Sequence, residues 1–201
     1  MLNVITLDLE GVLVPEIWIE FAQITKIPEF KLTTRDVPDY DVLMRQRLAL
    51  LAQHGLKLTD IQNVIRKMEP MEGAKSFLDH LRSQTQVVIL SDTFTQFAGP
   101  LMEKLGQPTI FCNTLEVDLG GAVTGYRLRQ KNGKKIAVQA FHSMGLKVYA
   151  AGDSYNDTGM LQEADAGFFF RPPESITAEF PQIQVTRTYK ELSEAFAPYL
   201  G

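Results

Sequence analysis

Val4-Ile5-Thr6-Leu7-Asp8-Leu9-Glu10-Gly11-Val12-Leu13-Val14 decides how the remainder of the chain is read. Its first half is an apolar run rich in β-branched residues, the composition of a buried strand. The run stops at two acidic residues spaced by one, and Gly11 then permits a sharp turn. A buried strand ending in a carboxylate loop would put Asp8 at the carboxyl edge of a sheet, where open α/β sheets bind ligands. A solvated acidic turn has the same local pattern, so the choice rests on the residues downstream.

Working outward, Ile17 to Lys26 carries Trp18, Phe21 and Ala22 at helical spacing, and Asp41 to Gln53 carries Val42, Leu43, Leu48, Leu50 and Leu51. Between them, Thr33 to Asp41 reads as a loop, with turn signals at its aspartates and at Pro38. Thr59-Asp60-Ile61-Gln62 has the form of a capping box. Ile61, Val64, Ile65 and Met68 follow it at i, i+3, i+4 and i+7, so a helix is expected to run up to Pro70. Consecutive helices straight after a first strand do not fit a simple βαβ repeat. Residues 15–70 therefore read as an inserted helical cap, with 1–14 and 71–201 forming the core.

Beyond the insertion the chain alternates. Glu72 to Ser83 is expected as a helix, Gln86 to Leu90 as a strand, Gln96 to Leu105 as a helix and Thr109 to Cys112 as a strand. Leu115 to Asp118, Gly120-Gly121 and Val123 to Leu128 predict a hairpin. Lys134 to Met144 predicts a helix closed by Gly145. Strands at Lys147 to Ala151, Gly167 to Phe170 and Ile183 to Val185 follow, with a short helix at Asp157 to Glu163 and a last one capped by Thr188. The fold class is α/β, a doubly wound Rossmann-like parallel sheet with an inserted helical cap.

Composition bounds the function. With 201 residues, 45% of them hydrophobic, the chain can bury a substantial core. A net charge of −4 with scattered Lys and Arg gives no nucleic-acid footprint. No apolar run reaches membrane-spanning length, and no basic or cleavage-like leader precedes the first strand, so a cytoplasmic location is expected. The single cysteine, Cys112, excludes an intramolecular disulfide and reads as a small buried hydrophobe. His54, His80 and His142 lack paired metal spacing and read as surface residues. Phe168-Phe169-Phe170 reads as a buried strand.

Four polar signals fall at strand ends or helix starts: Asp8 with Glu10, Ser91-Asp92-Thr93, the lysines 131, 134 and 135, and Gly152-Asp153-Ser154-Tyr155-Asn156-Asp157. In a parallel sheet these ends share one edge. Together they suit a phosphate and Mg²⁺, a hard cation satisfied by carboxylates such as Asp8 and Asp153, a backbone carbonyl, water and the phosphate itself. Ser91 and one lysine would balance the remaining phosphate oxygens. Lys134 has the best loop-to-helix placement, while Lys131 and Lys135 stay open. Asp8 is then the candidate nucleophile for an aspartyl-phosphate.

The ordered set, Asp8-x-Glu10-Gly11-Val12, Ser91 after a strand, a downstream lysine and Gly152-Asp153-x-x-Asn156-Asp157, resembles the four motifs of the haloacid dehalogenase superfamily over nearly the whole chain. The helical cap, Arg47-Leu48-x-Leu50-Leu51 and Pro70-x-Glu72-Gly73-Ala74 resemble its phosphoserine phosphatases. Where those usually carry Asp at the second acidic position, this chain has Glu10. In this setting that Glu resembles the bifunctional enzymes that are also phosphoserine:homoserine phosphotransferases.

The resemblance implies that Glu10 gives a proton to the leaving oxygen and takes one from the acceptor. It also implies that Asp8, Glu10 and Asp153 serve the metal. Arg47 would grip the substrate carboxylate and Glu16 its ammonium, with Ser91, Asp92, Lys134 and Asn156 also on the substrate. Asp92 stands where the family often has glycine, so its side chain is alternatively a helix cap. Asp157 either orients the metal shell or the lysine, or stabilises its own helix terminus. Phosphoserine and homoserine are the expected partners, and a homodimer stays open. Rival readings are a hydrolase of phosphoserine alone, a phosphatase of another small ester, and a receiver-like signalling module, which would need neither cap nor second acidic loop.

Overall fold

The structure, a computed structural model, describes residues 2–33, 36–37 and 39–200. The turn signal at Pro38 lies outside the described residues. Its centre is a seven-stranded sheet made of β1 (Asn3–Leu7), β2 (Gln86–Phe94), β3 (Thr109–Val117), β4 (Val123–Arg127), β5 (Lys147–Gly152), β6 (Ala166–Phe170) and β7 (Gln184–Thr186). The order is β4-β3-β2-β1-β5-β6-β7. All neighbours are parallel except the β3–β4 pair. The chain leaves β1 toward β2 and β3, then returns to the other side of β1 at β5. This makes the carboxyl ends of β1 and β5 the switch point of the sheet.

Period-two alternation divides the strands between two cores. Ile5, Leu7, Val87, Ile89, Tyr149, Ala151, Phe168 and Phe170 face one apolar cluster. Val4, Val88, Leu90, Val148, Ala150 and Phe169 face the other. The second cluster is covered by residues of α6 (Gly133–Ser143), α7 (Thr158–Glu163) and α8 (Glu174–Glu179). The first takes α4 (Ala74–Gln84), α5 (Thr95–Lys104) and α9 (Tyr189–Phe196), and it continues into the helical insertion.

That insertion holds α1 (Ile17–Thr25), a 3-10 turn at Pro28–Lys31, α2 (Tyr40–Gln53) and α3 (Leu58–Ile65). Ile17, Trp18, Phe21 and Ala22 form the buried face of α1, and Trp18 stacks on Phe30 at 5.7 Å. On α2 the buried face is Leu43, Met44, Arg47 and Leu51, while Val42 is exposed. The β3–β4 hairpin anchors two helix starts. The Leu58 amide donates to the Gly121 carbonyl at 3.0 Å, and Tyr126 meets Tyr40 edge to face and donates to the Asp41 carboxylate.

Several boundaries differ from the sequence reading. The expected capping box at Thr59 lies two residues off: Lys57 is the N-cap, its amide donates to Asp60 at 2.8 Å, and Thr59 is already inside the helix. α3 ends at Ile65, though Met68 remains buried beyond it. The two strands expected at Thr109–Cys112 and Leu115–Asp118 are one, because the first part of β3 pairs with β2 and the second with β4. β2 runs past Leu90 to Phe94 with a register shift, so Ser91-Asp92-Thr93 lies in an irregular strand extension. α8 was not signalled, since Pro172-Pro173 before it reads as a turn.

Candidate active site

Asp8 follows β1 directly, and its amide donates to the Ala151 carbonyl at 3.0 Å, tying it to β5. The chain then folds back: the Leu13 and Val14 amides both donate to the Leu9 carbonyl. Gly11 sits at φ 78°, and a Cβ there would lie 2.4 Å from a carboxylate oxygen of Asp153, so both conformation and space demand glycine. Gly152 admits Asp157 in the same way, with a Cβ falling 2.3 Å from its carboxyl carbon. The loops after β1 and β5 therefore approach as closely as glycine allows, and this packs their carboxylates together.

Asp8, Asp153 and Asp157 are all buried, and each presents an oxygen within 4.8 Å of the others. Lys134 reaches in from the first turn of α6, 2.7 Å from Asp157, 3.0 Å from Asp8 and 3.7 Å from Asp92. The neighbouring lysines do not: Lys135 pairs with Glu163 at 3.4 Å, and Lys131 is exposed. The other oxygen of Asp157 accepts the Asp153 and Ser154 amides at 3.0 Å. Asp157 thus both closes its own loop and fixes the lysine.

Three buried carboxylates face one buried ammonium, and the energetics reflect it. Burial, then Asp157 and Asp153, push the Asp8 carboxyl well above the usual range, against the pull of Lys134. Burial by itself would lower the Lys134 pKa, yet Asp157, Asp8 and Asp92 hold it well above the usual value. An all-oxygen, anion-rich group of this kind suits a hard divalent cation such as Mg²⁺.

A cavity of about 90 Å³ opens from these groups toward the insertion, lined by residues that include Asp8, Glu10, Glu16, Arg47, Ser91, Asp92, Asp153 and Asn156. Asp8, Glu10, Glu16, Arg47, Ser91, Asp92, Asp153 and Asn156 thus meet at one place, with Lys134 against Asp8, whereas Lys131 and Lys135 stay outside. Trp18, Tyr40 and Thr93, which the sequence reading did not assign, also line it. A larger depression of about 480 Å³ beside β7 is lined by none of these carboxylates.

The insertion end of the cavity is a second charged cluster. Glu10 accepts the Ile17 amide at 2.9 Å, and burial followed by Glu16 raises its pKa to about 8. Arg47 is buried on α2, with its guanidinium 4.6 Å from the Trp18 ring and one nitrogen donating to the Leu32 carbonyl at 2.8 Å. Burial lowers its pKa to about 10, opposed by Tyr40, Glu10 and Glu16. At the mouth, Asn156 donates to the Asp92 carboxylate at 2.8 Å. Asp92 is not the cap of α5, which starts at Thr95 after Phe94, because the strand extension carries its side chain to Asn156 and Lys134 instead. The Asp92 carbonyl accepts both from the Asn113 side chain, Nδ2, at 3.1 Å and from the Tyr40 hydroxyl at 3.2 Å, joining core and insertion at one atom.

Comparison with known proteins follows this geometry. The family model described as haloacid dehalogenase-like hydrolase matches residues 10–162. The chain is 57% identical to "Phosphoserine phosphatase ThrH" of Pseudomonas aeruginosa, covering 97% of this chain and 95% of that protein. It is 56% identical to a "Phosphoserine phosphatase" of Pseudomonas syringae pv. tomato, covering 94% and 80%. A solved phosphoserine phosphatase in apo form superposes with a TM-score of 0.78 over the whole of both chains at 23% identity, which shows the likeness of fold.

Proposed function

The chain is an enzyme of the haloacid dehalogenase-like hydrolase family, and on that premise we propose that it transfers the phosphoryl group of phosphoserine to water and to the side-chain hydroxyl of homoserine. The observation that carries this reading is the single cavity with a buried carboxylate and ammonium, Asp8 and Lys134 at 3.0 Å, at one end and Arg47 with Glu16 at the other. A phosphate belongs at the first end, and a zwitterionic amino acid matches the second. The names of the two pseudomonad relatives support phosphoserine as donor.

In this mechanism an oxygen of Asp8 attacks phosphorus while the serine oxygen departs with a proton from Glu10. The acceptor hydroxyl then returns a proton to Glu10 as its oxygen attacks phosphorus and Asp8 is released. Ser91 and Lys134 hold phosphate oxygens, joined by the Asp92 backbone and Asn156. Mg²⁺, when bound, would neutralise charge on the transferring group. Asp8 and Asp153 would hold it by their carboxylates and Glu10 by its main-chain carbonyl, its carboxylate being engaged by the Ile17 amide. Asp157 would steady the lysine and the Asp153 loop.

The reading divides the chain into a core of residues 1–14 and 71–201 and a cap of residues 15–70, the cap supplying Arg47 and Glu16. A single free, buried cysteine fits a cytoplasmic enzyme. Homoserine presents the same charged groups as serine on a side chain one carbon longer, so one cap site serves donor and acceptor in turn.

The test is phosphorus NMR of the protein with Mg²⁺ and phosphoserine, with and without homoserine. Phosphohomoserine is expected. Inorganic phosphate alone would reduce the function to a phosphatase, and an untouched substrate would redirect it to another ester. Glu10→Asp, one methylene shorter, should shift the ratio of the two products.

A further inference from the structure

Among the described residues, three buried side-chain polar atoms lack a hydrogen-bond partner: Thr6 Oγ1, Arg47 Nε and Thr93 Oγ1. Such atoms are costly in a folded protein and call for an explanation. Thr6 lies within β1, outside the residues that line the active-site cavity, whereas Arg47 and Thr93 both line it. Arg47 does so from α2 of the insertion and Thr93 from the end of β2 in the core.

We propose that Thr93 is a specificity-determining residue, whose hydroxyl gives the amino-acid end of the substrate its hydrogen bond from the core. This rests on the reading of phosphoserine as donor. Ser91, whose hydroxyl accepts the Thr93 amide at 3.1 Å, serves the phosphate, and Thr93 lines the same cavity two residues further along the strand extension. A hydroxyl donates to a carboxylate and accepts from an ammonium, so one Thr93 side chain complements a zwitterion. Esters with a plain aryl or alkyl leaving group offer it neither partner. Arg47 and Glu16 would then grip the same end from the insertion, and the substrate would bridge the two.

The isosteric Thr93→Val variant tests this. Because the hydroxyl has no partner within the protein, its thermal midpoint should equal or exceed that of the parent. Selectivity, the ratio of kcat/KM for phosphoserine to that for p-nitrophenyl phosphate, should fall about 10- to 100-fold, the effect of losing a hydrogen bond to a charged group. Thr93→Ser should restore it. An unchanged ratio in a parent that prefers phosphoserine would overturn the role of Thr93 and leave the proposed function standing. A drop in stability without loss of selectivity would likewise make the hydroxyl structural. A parent with no preference between the two esters would remove the functional reading and this inference together.

Discussion

Lys134 faces more negative charge than it carries, with oxygens of Asp157, Asp8 and Asp92 between 2.7 and 3.7 Å from its ammonium. Removing the cation and removing an anion should therefore act in opposite directions. Lys134→Met leaves Asp8 and Asp157 buried without their counter-ion, and a loss of about 3–5 kcal/mol is expected in urea unfolding. Asp8→Asn removes one of the crowded charges while keeping shape, so its thermal midpoint should hold or rise. Turnover of the same variant should fall below about one-thousandth of the parent, as for the loss of a nucleophile. A stable Lys134→Met protein would contradict the charge arrangement, and an active Asp8→Asn protein would contradict the nucleophile. Lys134 was one of three candidate lysines, favoured in the sequence by its loop-to-helix placement, and packing separates it from Lys131 and Lys135: of the three it alone meets the Asp8 carboxylate.

At the scale of elements, the site depends on β1, β5 and β6 holding register, and Asp165 clips the beginnings of the last two. Its carboxylate accepts the Val148 amide at 2.9 Å, pairs with Lys147 and meets His142 at 2.9 Å. Partial burial would raise its pKa, but the Lys147, Val148 and His142 hydrogen bonds prevail and bring it to about 2. A folded pKa below the unfolded one gives stability that is present above the unfolded value near 3.8 and is lost as pH falls toward 2. Asp165→Asn should lower the thermal midpoint at pH 7 by a few degrees, about 1 kcal/mol or less after solvent screening. The gap between variant and parent should close as pH falls from about 4 to about 2; a constant gap would place the effect in packing. Short continuous apolar runs made these strands legible in the sequence. The continuity of β3 was not, because a strand that changes partner midway carries no local mark of the change.

For the whole molecule, the three-carboxylate group predicts that metal binding and folding are linked. Mg²⁺ at one hundred times its dissociation constant should add about 2.7 kcal/mol of stability, read as a rise in thermal midpoint that EDTA reverses. Asp153→Asn should reduce that rise. An equal rise in both proteins would show that the ion stabilises elsewhere. In the proposed reaction the same scale would govern the division of phosphoryl groups between water and another acceptor, through how the insertion seats on the core. One contact for that seating is the Tyr40 hydroxyl on the Asp92 carbonyl, and the β3–β4 hairpin braces it through Tyr126.

What the sequence determined by itself is the α/β class and the run of helices between the first two strands. These follow from periodicity and from residues with few conformational alternatives, such as Gly11 beside Asp8, whose effects are local. What only the tertiary structure decided is the company each side chain keeps. Arg47 was singled out through resemblance, but its inward packing on α2 against Trp18 is a matter of tertiary structure. Tyr40 carries no motif and Thr93 only its place in the Ser91-Asp92-Thr93 signal, and both gain a role where β2, α2 and the hairpin converge. Asp157 joins Asp8 across more than one hundred intervening residues because β1 and β5 are neighbours. Contact between distant segments depends on strand order and packing, and neither is written in any local window of the chain.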